Sequence, residues 1–144
     1  MSDMHDIDRL IDEVISLEGG YSDHPADRGG PTRWGVTEAV ARAHGYAGSM
    51  RHFPRAQAAA IYKRKYWHRP GFDKIAQRAP RIAAELFDTG INMGTATATA
   101  FLQRALNALN RNGSDFDDLA VDRVIGAKTL AALDAFLRKR GRQG

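Results

Sequence analysis

From Asp3 to Leu17 the apolar residues Ile7, Leu10, Ile11, Val14 and Leu17 fall at three- and four-residue intervals, while Asp6, Asp8, Arg9, Asp12 and Glu13 lie largely on the other faces. Every third or fourth side chain of an α-helix returns to one face, so this pattern predicts an amphipathic helix. Gly19 and Gly20 then supply a stop, because glycine readily takes the left-handed backbone that closes helices. Glu18 is thereby placed at a helix C-terminus.

Helical periodicity is lost from Tyr21 to Val36. Ser22, Asp23, Pro25, Asp27, Gly29, Gly30 and Pro31 predict successive turns, and Thr32 to Val36 a short strand or hairpin arm. Thr37 is a predicted N-cap for a short helix over Glu38 to His44. Pro54 opens a helix to about Trp67, with Ala59, Ile61, Tyr62, Tyr66 and Trp67 as its apolar and aromatic members and a basic end at Lys63, Arg64, Lys65, His68 and Arg69. Pro70-Gly71 breaks the chain, and Phe72 to Arg78 reads as a connector.

Pro80 begins the next helix, with Ile82, Leu86, Phe87 and Ile91 inward and Gly94 as its stop. Thr95 to Asn110 follows through Phe101, Leu102, Ala105, Leu106 and Leu109. Leu119 and Val121 are expected to return to the core. The last helix spans Ala127 to Arg140, with Leu130, Leu133, Phe136 and Leu137 inward. The fold class is mainly α, with a small β-hairpin or turn-rich segment after the first helix. A chain of 144 residues fits one compact domain, here with two lobes, residues 1–79 around Glu18 and a helical part over 80–144.

Composition narrows the chemistry. With no cysteine, a thiol nucleophile, a disulfide framework and thiolate metal sites are excluded. The formal charge of +4 favours polyanions, among them nucleic acid, anionic wall polymer and lipid headgroups. The charged N-terminal stretch is no secretory signal and no run is long enough to span a bilayer, so synthesis in the cytoplasm is expected. There is no Gly-x-Ser-x-Gly elbow, phosphate loop or His-Glu-x-x-His zinc motif. The five histidines are dispersed; His24 lies near the acidic segment, where surface or hydrogen-bonding roles are commoner than metal ligation.

Glu18 follows Val14 by four and Ile15 by three, which puts it on the apolar side of the last turn. Desolvation and the negative end of the helix dipole would both favour its protonated form, as a proton donor requires. The alternative is a solvated glutamate. Glycosidic hydrolysis needs such a donor and a second group that activates water or stabilises the transition state. Asp27 is the candidate second carboxylate, Asp23 its competitor, and Thr32 a hydroxyl that could hold the water; taken by its position alone, Asp27 reads more readily as an Asx-turn residue.

Glu18-Gly19-Gly20-Tyr21, with Asp27, Gly29-Gly30, Thr32 and Trp34-Gly35-Val36-Thr37, resembles the signature of the glycoside hydrolase family 108 N-acetylmuramidases, which are lysozyme-like. Ile61-Tyr62, Tyr66-Trp67, Phe87 to Gly94 and Phe101-Leu102-Gln103 resemble that family's helical half. The order Glu18, Asp27, Thr32 is similar to the triad of phage-type lysozymes, with eight residues between the first two and four between the last two, one fewer than usual. Asp122 to Leu130 resembles the Asp-Gly-x-x-Gly-x-x-Thr turn of helical peptidoglycan-binding modules, with Arg123 replacing the first glycine. A helix start with Gly126 as turn residue and Asp122 as local cap is the other reading of that segment.

The resemblance implies cleavage of the β-1,4 bond between N-acetylmuramic acid and N-acetylglucosamine in peptidoglycan glycan strands. Glu18 would protonate the leaving oxygen, Asp27 activate or steer water, and Thr32 position it. Tyr21, Trp34 and Thr37 would contact sugar and Asn92 line the opposite wall, although Tyr21 and Trp34 are equally core candidates. No cofactor, metal or nucleic acid is implied. The expected protein is a monomer, a phage or prophage endolysin first and a secretion-associated muramidase second. It would reach the periplasm or cell wall through a holin or export machinery. A lytic transglycosylase and a non-catalytic cell-wall-binding protein are the alternatives.

Overall fold

The computed structural model describes residues 3–23, 30–110 and 116–140. The chain forms two compact units, residues 1–64 and 65–144.

In the first unit α1 (Asp3–Glu18) packs on α3 (Arg55–Lys63). Ile7, Ile11 and Ile15 on α1 are buried, as are Ala58, Ile61 and Tyr62 on α3. Each isoleucine taken out of water contributes about 2 kcal/mol. The apolar face is narrower than its sequence pattern. Leu10 and Val14 are half-buried, and Leu17 is 88% exposed, because two residues beyond Ile15 is roughly 200° around the helix. Arg55 closes the rim by donating to Asp12 Oδ1 at 2.6 Å and Ser16 Oγ at 2.9 Å, and Lys63 pairs with Asp8 at 3.0 Å.

The expected hairpin forms from β1 (Thr32–Arg33) and β2 (Val36–Thr37), antiparallel, with Thr32 opposite Thr37 and Arg33 opposite Val36. Its turn residues Trp34 and Gly35 have φ of 55° and 76°, and two positive φ angles give a turn whose twist matches the flanking strands. Thr37 caps α2 (Glu38–Ala43) by accepting from the Val40 N–H at 3.3 Å. A 3-10 turn, Met50–His52, leads to the buried Phe53.

The helix expected from Pro54 to Trp67 is α only to Lys63 and continues as π turns from Arg64 to His68. In the second unit the expected connector contains a helix, α4 (Phe72–Ala76). Five residues are too few to show a period, yet Phe72, Ile75 and Ala76 place one buried face at helical spacing. α4 packs on α5 (Pro80–Met93), α5 on α6 (Thr95–Leu109), and α6 on α7 (Ala127–Arg140). At Gly90 a Cβ would stand 3.2 Å from Thr95 Cγ2 and 3.4 Å from the Phe72 ring, so only glycine allows these helices to approach as they do.

Not every apolar residue of these helices turns inward. Phe101 and Leu109 on α6 are 44% and 45% exposed, and Val121, expected in the core, is exposed. Amides take the place of apolar side chains on part of α6. Gln103 is fully buried; its Nε2 donates to Asp122 Oδ1, Val124 O and Thr129 Oγ1 at 2.9 to 3.1 Å, and its Oε1 accepts from the Arg123 N–H at 3.0 Å. Asn107 brackets the backbone of Leu119, and Asn110 holds Phe116 and Asp118. Residues 103, 107 and 110 thus form a polar row at helical spacing that satisfies the irregular segment before α7. Arg123, standing where the resemblance has glycine, takes glycine's left-handed backbone at φ 67°.

Candidate active site

Helix α1 ends where the Gly19 N–H donates to Ile15 O at 2.8 Å and Gly19 turns to φ 42°. The next residues run beside the hairpin: Ser22 and Thr32 exchange backbone bonds of 2.8 and 2.7 Å, and the Trp34 N–H donates to Gly19 O at 2.8 Å. The hairpin tip is therefore fastened to the C-terminus of α1, one residue from Glu18.

Gly35 makes the close contact. A Cβ there would stand 3.0 Å from Glu18 Cβ and 3.1 Å from its Cγ, and would collide with the Tyr62 hydroxyl. That hydroxyl donates to Trp34 O at 3.2 Å, and Trp34 Nε1 donates to Phe53 O at 3.0 Å. Glu18 is thus braced along its aliphatic stem while the residue as a whole is exposed. The desolvation expected from its place after Val14 and Ile15 is not realised, because the apolar row of α1 turns away after Ile15.

Three arginines surround this corner. The guanidinium of Arg51 lies 4.3 Å from the Tyr21 ring centroid, and those of Arg33 and Arg55 lie 4.8 and 5.2 Å from that of Trp34. Arg33 also donates to Arg51 O at 3.0 Å, while its Nε is buried without a partner. Cation–π contacts of this kind contribute about 0.5–1 kcal/mol each at exposed sites, and they fix both aromatic rings. Thr32 faces Thr37 across the hairpin and Ser22 faces Thr32 on its other edge. Cross-strand partners share a face, so three hydroxyl residues lie in a row. The Thr37 hydroxyl is already committed to capping α2.

Of the residues singled out by sequence, Glu18, Tyr21, Thr32, Trp34 and Thr37 are gathered in the first unit. Asp23 is exposed beside them in the chain. Asn92 belongs to α5 in the second unit, where its Nδ2 donates to Asp88 O at 2.9 Å. Asp27 and His24 lie outside the described residues. Gly35, Tyr62 and the arginines Arg33, Arg51 and Arg55 were not identified as site residues; the Trp34-Gly35 pair at the hairpin tip was the available signal. Among the described residues no group of three or more His, Asp or Glu side chains could hold a metal ion, and no helix is long and apolar enough to cross a membrane.

Comparison with known proteins matches residues 11–94 to the family model of glycosyl hydrolase 108. Among solved structures the chain is similar to SagA of Brucella abortus, with 31% identity and a TM-score of 0.63 over 96% of this chain and 72% of that one. No curated protein matches. The similarity agrees with a mainly α, lysozyme-like architecture.

Proposed function

We propose, for a chain that belongs to the glycosyl hydrolase 108 family and is a glycoside hydrolase of the peptidoglycan-cleaving, muramidase type, that Glu18 donates the proton that cleaves the β-1,4 bond between N-acetylmuramic acid and N-acetylglucosamine. The observation that carries this reading is the brace on Glu18: an exposed carboxyl side chain held at a helix end by the glycine of a hairpin tip. A proton donor must be reachable by substrate and fixed in direction, and this arrangement meets both needs.

In the reaction the Glu18 proton passes to the glycosidic oxygen as the bond to the muramic acid C1 breaks. Positive charge develops on the ring carbon and oxygen, and water adds to C1 as its proton passes to a carboxylate. Asp27 is the proposed second carboxylate and Thr32 the hydroxyl that positions the water. Tyr21, Trp34 and Thr37 are proposed sugar contacts, and Asn92 a further one. The basic residues Arg33, Arg51 and Arg55 suit a glycan carrying anionic lactyl and peptide groups. In this reading the protein is a monomeric endolysin of phage or prophage origin, released from the cytoplasm to the wall through a holin or export machinery.

The test is mass spectrometry of peptidoglycan digested by the wild type, Glu18→Gln and Asp27→Asn. Muropeptides with a reducing N-acetylmuramic acid end are expected from the wild type and none from Glu18→Gln. Full activity in Glu18→Gln would overturn the assignment, and a 1,6-anhydro end would replace hydrolysis by internal transfer.

A further inference from the structure

Helix α1 leaves the core before it reaches Glu18. Ile15 is its last buried residue, and Ser16, Leu17 and Glu18 are all exposed. The turn that carries the carboxyl therefore has no apolar anchor of its own, and terminal helical turns fray. The backbone bond from the Trp34 N–H to Gly19 O ties it to the hairpin at one point. A single hydrogen bond fixes a distance and leaves rotation about it free, so a second contact, set apart from the first, is needed to fix direction.

Arg55 supplies that contact. Asp12 and Ser16, four residues apart, share one face of α1, and Arg55 Nη2 donates to Asp12 Oδ1 at 2.6 Å, Ser16 Oγ at 2.9 Å and Asp12 O at 3.2 Å. The same guanidinium lies 5.2 Å from the ring centroid of Trp34. The edge of that ring is held by Phe53 O, and its chain neighbour Gly35 rests on Glu18. One side chain thus touches both sides of the Glu18 cradle: the helical turn two residues before it, and the ring beside the glycine that braces it. The charge of Arg55 is met by Asp12, so its part is to hold rather than to await an anion. The side chains of the pair are 39% and 67% exposed, and ion pairs so open to water add little to stability. Direction is another matter, since a displacement of about 1 Å at a reacting group can cost about 100-fold in rate.

We propose that Arg55 is a positioning residue for the reaction: it clamps the last turn of α1 to the hairpin tip and so fixes where the Glu18 carboxyl points. The proposal rests on Glu18 being the proton donor. It requires no contact between Arg55 and the substrate.

The test is steady-state release of reducing ends from soluble, uncross-linked peptidoglycan chains by the wild type, Arg55→Gln, Arg55→Lys, Glu18→Gln and the double variant Asp12→Ala with Ser16→Ala. Arg55→Gln is expected to lower kcat at least about tenfold and to leave KM within about twofold, because a contact that orients the donor acts on the transition state and not on substrate binding. The double variant keeps the arginine but removes its side-chain anchors on α1, and should reproduce that loss. Arg55→Lys keeps the charge but cannot span both anchors and the ring, so its melting temperature should match the wild type while kcat stays at least about fivefold low. The Gly19 and Gly35 amide signals of the 15N-labelled chain should shift in Arg55→Gln and in the double variant alike. Unchanged kcat in Arg55→Gln, or in the double variant, would overturn the proposal. So would a raised KM with kcat preserved, which would make Arg55 a substrate contact. Full activity in Glu18→Gln rejects Glu18 as the donor and the proposal with it; activity lost in Glu18→Gln and kept in Arg55→Gln rejects the proposal alone.

Discussion

Gly35 lies against the stem of Glu18 so closely that a methyl group on its Cα would stand 3.0 Å from Glu18 Cβ and 3.1 Å from Cγ. Its φ of 76° also disfavours any side chain. Gly35→Ala is therefore expected to cost about 1–3 kcal/mol through overpacking and strain, and to lower activity well beyond that loss of stability by displacing Glu18. The added methyl also meets the Tyr62 hydroxyl, so Tyr62→Phe in the same chain should recover part of the stability. Thermal unfolding of the two single variants and the double variant gives the coupling; strict additivity would show that the hydroxyl is not the obstacle.

Glu18→Gln tests a different property of the same contact. The residue is exposed and makes no described ion pair, so the melting temperature should barely move. Turnover should fall by about 10²–10⁴-fold if the proton donor is removed. Melting curves and reducing-end release on one preparation separate loss of chemistry from loss of fold.

Gln103→Leu conserves much of the volume but leaves Asp122, Val124, Thr129 and the Arg123 N–H without their shared partner. Of these partners only Thr129 is buried, while Asp122, Arg123 and Val124 are exposed and can turn to water, so denaturant unfolding should show a loss of about 1–3 kcal/mol. A change of less than one would mean that water replaces the amide.

Asp122 supplies a pH dependence. Hydrogen bonds from the Gln103 amide and then from the Val124 N–H hold its carboxyl below the ordinary carboxylate value. Its folded-state value is depressed relative to the unfolded chain, so the contribution to stability is fully present above the ordinary carboxylate range and is lost as pH falls through the folded-state value. Asp122→Asn should therefore be less stable than the wild type at neutral pH, and the difference should shrink below about pH 4. Paired melting curves at neutral and acidic pH check it.

Most of the helices could be read from the sequence because their ends carry strong chemical signals. Pro80 opens α5, Gly94 separates it from α6, Thr37 caps α2, and α7 runs over the predicted Ala127–Arg140. The misses have physical causes. α4 is too short to display a period, and Leu17 has an apolar side chain on the wrong side of a helix already satisfied by Ile7, Ile11 and Ile15. The amide row Gln103, Asn107 and Asn110 escaped because polar residues at helical spacing read as a solvated face until the segment they bind is known. At the candidate site, the motif picked out Glu18 and Trp34. The contact through which Gly35 braces Glu18 depends on a hairpin turn and on Tyr62 from α3, and no local pattern encodes a meeting of residues that far apart.

The chain has two tryptophans, and each unit holds one of them. Trp34 is clasped by Arg33 and Arg55 at the hairpin tip, and Trp67 is buried with its ring centroid 6.3 Å from that of Phe87. Their fluorescence thus provides two native probes without added label. Emission from Trp67→Phe reports only the hairpin beside Glu18, and emission from Trp34→Phe only the second unit. Comparing the two during unfolding shows whether the units melt as one cooperative body, and glycan that quenches or shifts only Trp34 emission identifies the hairpin as the surface it touches.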